Sequence, residues 1–273
     1  MSEFSIAFVG AGNMAGSIIG GMLAAGVSAD RFSASDPAAT NLDALRDRGL
    51  TRLASDNRAA VTNADVVVLA VKPQVLAEVC ADIAPALNSD KLVISIAAGV
   101  EGEAIHRWLG GSAAIVRCMP NTPALVGEGA SALCPIREVS DQHRSWAEDI
   151  LGAVGVVRWV EREHDLHAVT AVSGSGPAYF FQFMEAMITE AERMGLDAET
   201  ARTLCAQTCI GAGHMVAAGD VDAGELRRRV CSPGGTTERA VAAFSAGDLA
   251  GLVSTAMEDC FKRSEELAEE LSR

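Results

Sequence analysis

Three loops carry the residue types and spacing that could do chemistry. The first is Gly10-Ala11-Gly12-Asn13-Met14-Ala15, a G-x-G-x-x-A turn between an apolar run over 6–9 and a helical stretch over 15–25. Gly10 permits the tight turn, Gly12 lets backbone approach a pyrophosphate, and small Ala15 allows close helix packing; the helix start attracts the anion. Asp36 follows at the end of an expected strand over 31–35. A carboxylate there would accept from adenosine ribose hydroxyls and repel a 2′-phosphate, which favours NADH over NADPH. The plainer alternative is that Asp36-Pro37 only starts a turn.

The second loop, Ser173-Gly174-Ser175-Gly176-Pro177, opens a helix with hydroxyls and backbone amides that suit an anion, or serves as a hinge. The third, Cys231-Ser232-Pro233-Gly234-Gly235-Thr236-Thr237, is a cradle for a carboxylate-sized anion. It is too short for a P-loop and lacks that loop's lysine; its alternative is a glycine turn with threonine caps. Lys72, in Ala70-Val71-Lys72-Pro73, ends an expected strand over 66–71, where ligands of open α/β sheets bind. The small residues Ala97-Ala98-Gly99, after the next strand, leave room for a nicotinamide ribose. The rigid turn Arg117-Cys118-Met119-Pro120-Asn121-Thr122-Pro123 presents one amide, Asn121. His164 and His167 are three apart, but no further ligand spacing completes a metal site, so no metal is expected. No acyl-transfer triad signature is present.

The elements that must position these loops change in kind along the chain. Short β-branched runs at 66–71 and 92–97 are continuous, as in strands buried on both faces. Further strands are expected at 115–118, 130–134 and 156–160. Residues 1–160 therefore read as a Rossmann-type doubly wound parallel sheet with helices, an α/β fold. Residues 161–273 read as an all-helical domain: Pro177 starts one helix, Asp197 caps a second, and Asp222-Ala223-Gly224-Glu225 forms a capping box for a third. Two more helices begin near 236 and 248. Helices so rich in Ala, Met and Leu need a partner to cover them, so a homodimer or larger assembly is expected.

Composition closes off other classes. The chain has 273 residues, 49% hydrophobic and 21% charged, which suits two globular domains rather than disorder or a coiled coil. A net charge of −14 argues against nucleic acid as a partner. No apolar run reaches the roughly 18 residues of a membrane span, and the start, MSEFSIAFVG, lacks the basic region of a signal peptide. Seven scattered cysteines with no C-x-x-C pair fit a reduced, cytoplasmic protein.

Taken together, GAGNMA (10–15), AVKP (70–73), AAG (97–99), RCMPNTP (117–123), SGSGPAY (173–179) and CSPGGTT (231–237) resemble the pyrroline-5-carboxylate reductase family, in order and over nearly the whole chain. The resemblance implies a Rossmann domain followed by a helical dimerisation domain, with dimers in some members assembling into rings such as a decamer. It implies NAD(P)H-dependent reduction of the C=N bond of 1-pyrroline-5-carboxylate to L-proline, the last step of proline biosynthesis. On that reading Gly10, Ala11, Gly12, Asn13, Met14, Asp36, Asn57, Val71, Lys72, Pro73 and Ala98 contact the dinucleotide. The substrate falls to Ser175, Ser232, Gly234, Gly235, Thr236 and Thr237, with Asn121 and Glu163 as weaker candidates. Thr237 would stand near the ring nitrogen as the catalytic hydrogen-bond donor.

Three rivals remain. A β-hydroxyacid dehydrogenase would need a catalytic lysine early in the helical domain, where residues 173–219 have none. A dinucleotide-sensing scaffold would leave residues 232–237 without a role. A reductase of another cyclic imine differs only in ring size and imine position.

Overall fold

The computed structural model describes residues 4–272; the first three residues of the N-terminal stretch read above, and Arg273, lie outside it. Strands β1 (Ile6–Val9), β2 (Phe32–Ser35), β3 (Arg52–Ala54), β4 (Val66–Leu69), β5 (Leu92–Ser95), β6 (Ala114–Met119), β7 (Gly129–Arg137) and β8 (Gly155–Trp159) form one sheet. Their order is β3-β2-β1-β4-β5-β6-β7-β8. The first six are parallel, in the order of a doubly wound dinucleotide-binding sheet.

β1 and β4 are apolar at every position, and β5 is apolar up to Ser95, because both faces are covered. Ile6 and Phe8 pack with Ile18, Ile19 and Met22 of α1 (Asn13–Ala24) and with Ile150 and Leu151 of α6 (Asp141–Gly152). Ala7 and Val9 face the other way, toward Leu76, Cys80 and Ile83 of α4 (Leu76–Ile83) and Ile105 of α5 (Gly102–Trp108). The edge helices α2 (Ala39–Arg46) and α3 (Asn57–Val61) complete the two layers. Lys91 spends its charge inside this fold: its ammonium is buried and donates to the carbonyls of Val61, Thr62 and Ala64 past the end of α3.

Two features depart from the sequence expectation. β7 runs antiparallel to β6. The link between them, residues 120–128, is shorter than the dozen or so residues a parallel crossover requires, so the chain turns back. β3, at the sheet edge, was not expected, because three residues, one exposed and two half-buried, carry no hydrophobic pattern.

The chain divides into two compact units, one running to Pro177 and resuming at Cys260, the other Ala178–Asp259. The expected boundary after 160 follows the change from strand to helix, since the sheet ends at Trp159. Packing divides the chain later. In α7 (Asp165–Val169), Leu166 is buried with Ala132 and Cys134 of β7. A π-helical turn, Thr170–Gly174, follows.

The second unit holds most of α8 (Gly176–Arg193), all of α9 (Ala198–Ala218), α10 (Ala223–Val230) and α11 (Thr236–Ala246), and the start of α12 (Leu249–Leu271). Asp197 caps α9 by accepting the Thr200 N–H at 2.9 Å. Asp222 likewise accepts from Glu225 N–H at 2.8 Å. The capping box is only half made: the Glu225 carboxylate turns to Arg228 and Arg229 at 2.9 and 3.0 Å instead of back to the cap. Within this unit only Ala201 and Cys205 are buried. Among the described residues no single helix is long and apolar enough to cross a membrane.

Candidate active site

The carboxyl ends of six neighbouring strands carry most of the candidate residues of the first unit. Gly10–Met14 follow β1, Asp36 follows β2, Asn57 lies beyond β3, Val71, Lys72 and Pro73 follow β4, Ala98 follows β5 and Asn121 follows β6. This is the edge on which open parallel sheets hold their ligands.

The turn after β1 is shaped for close approach. Gly10 has φ +95°, and a Cβ there would lie 2.7 Å from the Ala70 carbonyl oxygen, so only glycine fits. Gly12 stands at the N-cap of α1 and supplies no side-chain acceptor, and the first helical turn carries no acid. Its N–H groups are therefore left for an external anion. A groove of about 480 Å³ begins at Ala11, Gly12 and Asn13 and runs along Gly16 and Gly20 of α1. A dinucleotide pyrophosphate fits these features: bare donors, a helix start and no Cβ in the way.

Asp36 is more deeply engaged than its sequence position implied. It is only 8% exposed. One carboxylate oxygen accepts from the Ala11 N–H at 2.8 Å and from Asn41 Nδ2 at 3.1 Å; the other accepts from Ala38 N–H at 2.8 Å. Asp36 thus ties the glycine turn to the start of α2, and Asn41 is a partner of Asp36 that the sequence reading missed. Its signal was its place five residues beyond Asp36, one turn into the following helix.

The other positions divide by exposure. Lys72 and Ala98 are exposed at their strand ends, while Val71 and Pro73 are half-buried. Asn57 is half-buried at the start of α3, its amide 3.4 Å from Asp82. Asn121 is committed at both ends of its amide: it donates to Ser173 O at 3.0 Å and accepts from Ala130 N–H at 2.8 Å. It fastens the π-helical turn to the start of β7. Glu163 accepts from the Gly102 N–H at 2.5 Å and from Arg117 Nη1 at 2.7 Å. Ser175 accepts a hydrogen bond from the Cys260 thiol at 3.2 Å.

His164 and His167 sit edge-on to Phe261, with His167 Nδ1 2.8 Å from Ser264 Oγ. Burial, then the nearby Arg117 and His164, hold the His167 imidazole below its ordinary pKa, so it is neutral at pH 7. No group of metal-ligating residues occurs among the described residues. Burial pushes the thiols of Cys80 and Cys118 up to about 12 and that of Cys134 up to about 11, which makes them inert packing groups.

In the second unit, residues 232–237 form a glycine turn leading into α11. Gly235 is the N-cap and makes no side-chain cap bond, so Thr236 and Thr237 are its first two helical residues rather than caps. Gly235 N–H closes the turn on Ser232 O at 2.9 Å. The Gly234 N–H donates to the Glu238 carboxylate at 2.6 Å. This loop therefore holds a carboxylate, its own. Ser232, Gly234 and Thr236 are exposed, and Gly235 and Thr237 half-buried.

Comparison with known proteins extends these observations over the whole chain. Residues 163–267 match the family model described as pyrroline-5-carboxylate reductase dimerisation, and residues 5–99 match one described as NADP oxidoreductase, coenzyme F420-dependent. The pyrroline-5-carboxylate reductase of Pseudomonas aeruginosa is 48% identical over 273 residues, which is all of both chains. A pyrroline-5-carboxylate reductase structure from Coxiella burnetii superposes with a TM-score of 0.93 at 40% identity, covering 98% of this chain and 99% of that one. The Plasmodium falciparum pyrroline carboxylate reductase, solved with NADP bound, superposes at 0.86 with 30% identity and the same coverage.

Proposed function

The chain belongs to the pyrroline-5-carboxylate reductase family, and we propose that the strand-end loops of its first unit bind the dinucleotide while residues 232–237 of its second hold the substrate. It is an NAD(P)H-dependent oxidoreductase that reduces 1-pyrroline-5-carboxylate to L-proline in proline biosynthesis. The observation that carries the reaction is the 48% identity over the full length of both chains. The nicotinamide, when bound, supplies the reducing equivalent to the C=N carbon.

The residue roles follow from local chemistry. The uncapped start of α1, with Gly10, Ala11, Gly12, Asn13 and Met14, receives the pyrophosphate. Asp36 holds that turn, and its charge ranks NADH above NADPH. Asn57 belongs to the adenosine half, and Val71, Lys72, Pro73 and Ala98 to the nicotinamide half. The substrate carboxylate docks on Ser232, Gly234, Gly235 and Thr236, a reading supported by the carboxylate of Glu238 on the Gly234 N–H. Ser175 is a further candidate for substrate contact. A cyclic imine needs orientation more than a strong acid, so the Thr237 hydroxyl is sufficient, donating to the neutral ring nitrogen or accepting from its N–H once it is protonated.

The decisive experiment follows reduced-nicotinamide absorbance with 1-pyrroline-5-carboxylate, using NADH and NADPH in parallel. Rapid oxidation is expected with both, faster with NADH. Thr237→Ala retaining full turnover would remove that residue from catalysis. Self-association follows from the dimerisation region. We propose further that dimers assemble into a decamer, which light scattering distinguishes from the dimer. A cytoplasmic location accords with seven free thiols.

A further inference from the structure

The link from β5 to α5, residues 96–101, is held by parts of the chain far from it in sequence. In a doubly wound sheet the adenosine half of a dinucleotide lies over β1–β3 and the nicotinamide half over β4–β6. Ala98 and Glu101 are the exposed residues of this link, and the residues after Ala98 are held from behind. Gly99 takes a left-handed φ of +70° and packs against Leu267 and Leu271 of α12. The Glu101 N–H donates to Ser272 Oγ at 2.9 Å, and Arg107 donates to Ser272 O at 3.0 Å. Gly102, the first residue of α5, is buried so closely on Ile136 that a Cβ would overlap it. Its N–H, one of the donors a helix start leaves over, is met by Glu163.

The carboxylate of Glu163 is itself fixed. The Arg117 guanidinium on β6 is buried, and Arg117 pairs in register with Ser95, the last residue of β5. A buried guanidinium requires a partner, and Glu163 supplies it through the same Oε1 that takes the Gly102 N–H. One oxygen thus joins the end of β8's outgoing loop, strand β6 and the start of α5.

We propose that Glu163 is a positioning residue for the reduction: with Arg117 it clamps Gly102 and so sets the height of the 96–101 link under the nicotinamide, without touching the substrate. The inference rests on the reading above that this link lines the nicotinamide half. A displacement of about 1 Å at the reacting centre can cost about 100-fold in rate, so the effect belongs in kcat.

The test uses Glu163→Ala, Glu163→Gln and Ala98→Leu in the full-length enzyme, with steady-state kinetics and calorimetric binding of NADH and of ADP. ADP carries no nicotinamide. For Glu163→Ala the expected result is a fall in kcat of about 10- to 100-fold with KM for the imine within about 3-fold. NADH binding weakens while ADP binding does not change. Glu163→Gln keeps an oxygen acceptor for both N–H groups, though not the charge opposite Arg117; where it folds, it restores kcat to within about 5-fold of the parent. A KM raised 10-fold at unchanged kcat would place Glu163 on the substrate and overturn the proposal. So would a Glu163→Gln enzyme with a kcat as low as a folded Glu163→Ala, since the charge itself would then be in use. Ala98→Leu is expected to block NADH but not ADP. If it does so while Glu163→Ala leaves kcat unmoved, the clamp alone is refuted. If Ala98→Leu leaves NADH binding intact, the reading of the link fails first and the clamp with it.

Discussion

The two compact units solve the problem of burial in opposite ways. In the first, Ile6, Phe8, Val66, Val67, Leu92 and Ile115 are all 1% exposed or less, and buried polar groups such as Asp36, Lys91 and Asn121 each meet several partners. In the second, Phe180, Phe181, Met194, Leu204, Ile210 and Met215 stand exposed on its helices, and only Ala201 and Cys205 are buried. A sheet covered on both faces closes its own core. A set of helices with large side chains facing outward leaves its apolar surface to be covered by another chain. The match of residues 163–267 to a dimerisation family names that covering as a second copy. Stability should therefore be unimolecular in one region and concentration-dependent in the other.

The sharpest break in this comparison is Phe8→Ala. Phe8 is fully buried between the sheet and α1, and its removal should cost about 3–5 kcal/mol of unfolding free energy at any protein concentration. Chemical denaturation at two concentrations a hundredfold apart checks it; a cost that changed with concentration would contradict a self-contained core. Ile210→Asp should do the reverse. It places a charge on an exposed apolar helix face and should weaken self-association by about 2–4 kcal/mol. Sedimentation should then show monomers that still bind ADP. A variant as tightly associated as the parent would move the interface elsewhere.

A smaller effect sharpens the first unit's side. Asp36→Asn keeps an oxygen for the Ala11 N–H but removes the charge, so the ratio of NADH to NADPH efficiency should fall about tenfold. A constant ratio would leave Asp36 as a turn fastener only. The smallest effect concerns His167, whose pKa is lower in the folded chain than unfolded. Between its lowered folded value and 6.5, the unfolded state binds more protons, so stability rises with pH across that window. The contribution is present above 6.5 and is lost as pH falls through the folded value. Denaturation midpoints from pH 8 down to pH 5 should decline less in His167→Gln than in the parent.

The candidate residues show what could be read directly from the chain. The glycine turn at 10–15, the strand runs and the helix caps at Asp197 and Asp222 were legible because each is a local pattern whose physics acts within a few residues. Asp36 was legible as a position but not as a set of bonds: its partners Ala11, Ala38 and Asn41 converge only when β1 and β2 pair. Asn121 was legible as the amide of a rigid turn and Glu163 only by resemblance, and the actual partners of both could not be read at all. Gly102 lies 61 residues from Glu163, and Ser173 lies 52 from Asn121.

By itself, then, the sequence determined the order of the main elements, the glycine turn before the uncapped start of α1 and the need of the helices for a partner. Those properties follow from side-chain type and period, which are local. Only the tertiary structure decided that β7 would run against β6, that residues 161–177 pack with the sheet, and that Glu163 serves Arg117 and Gly102. Such outcomes depend on which distant groups meet in a space where every buried donor must find an acceptor, and no local pattern carries that information.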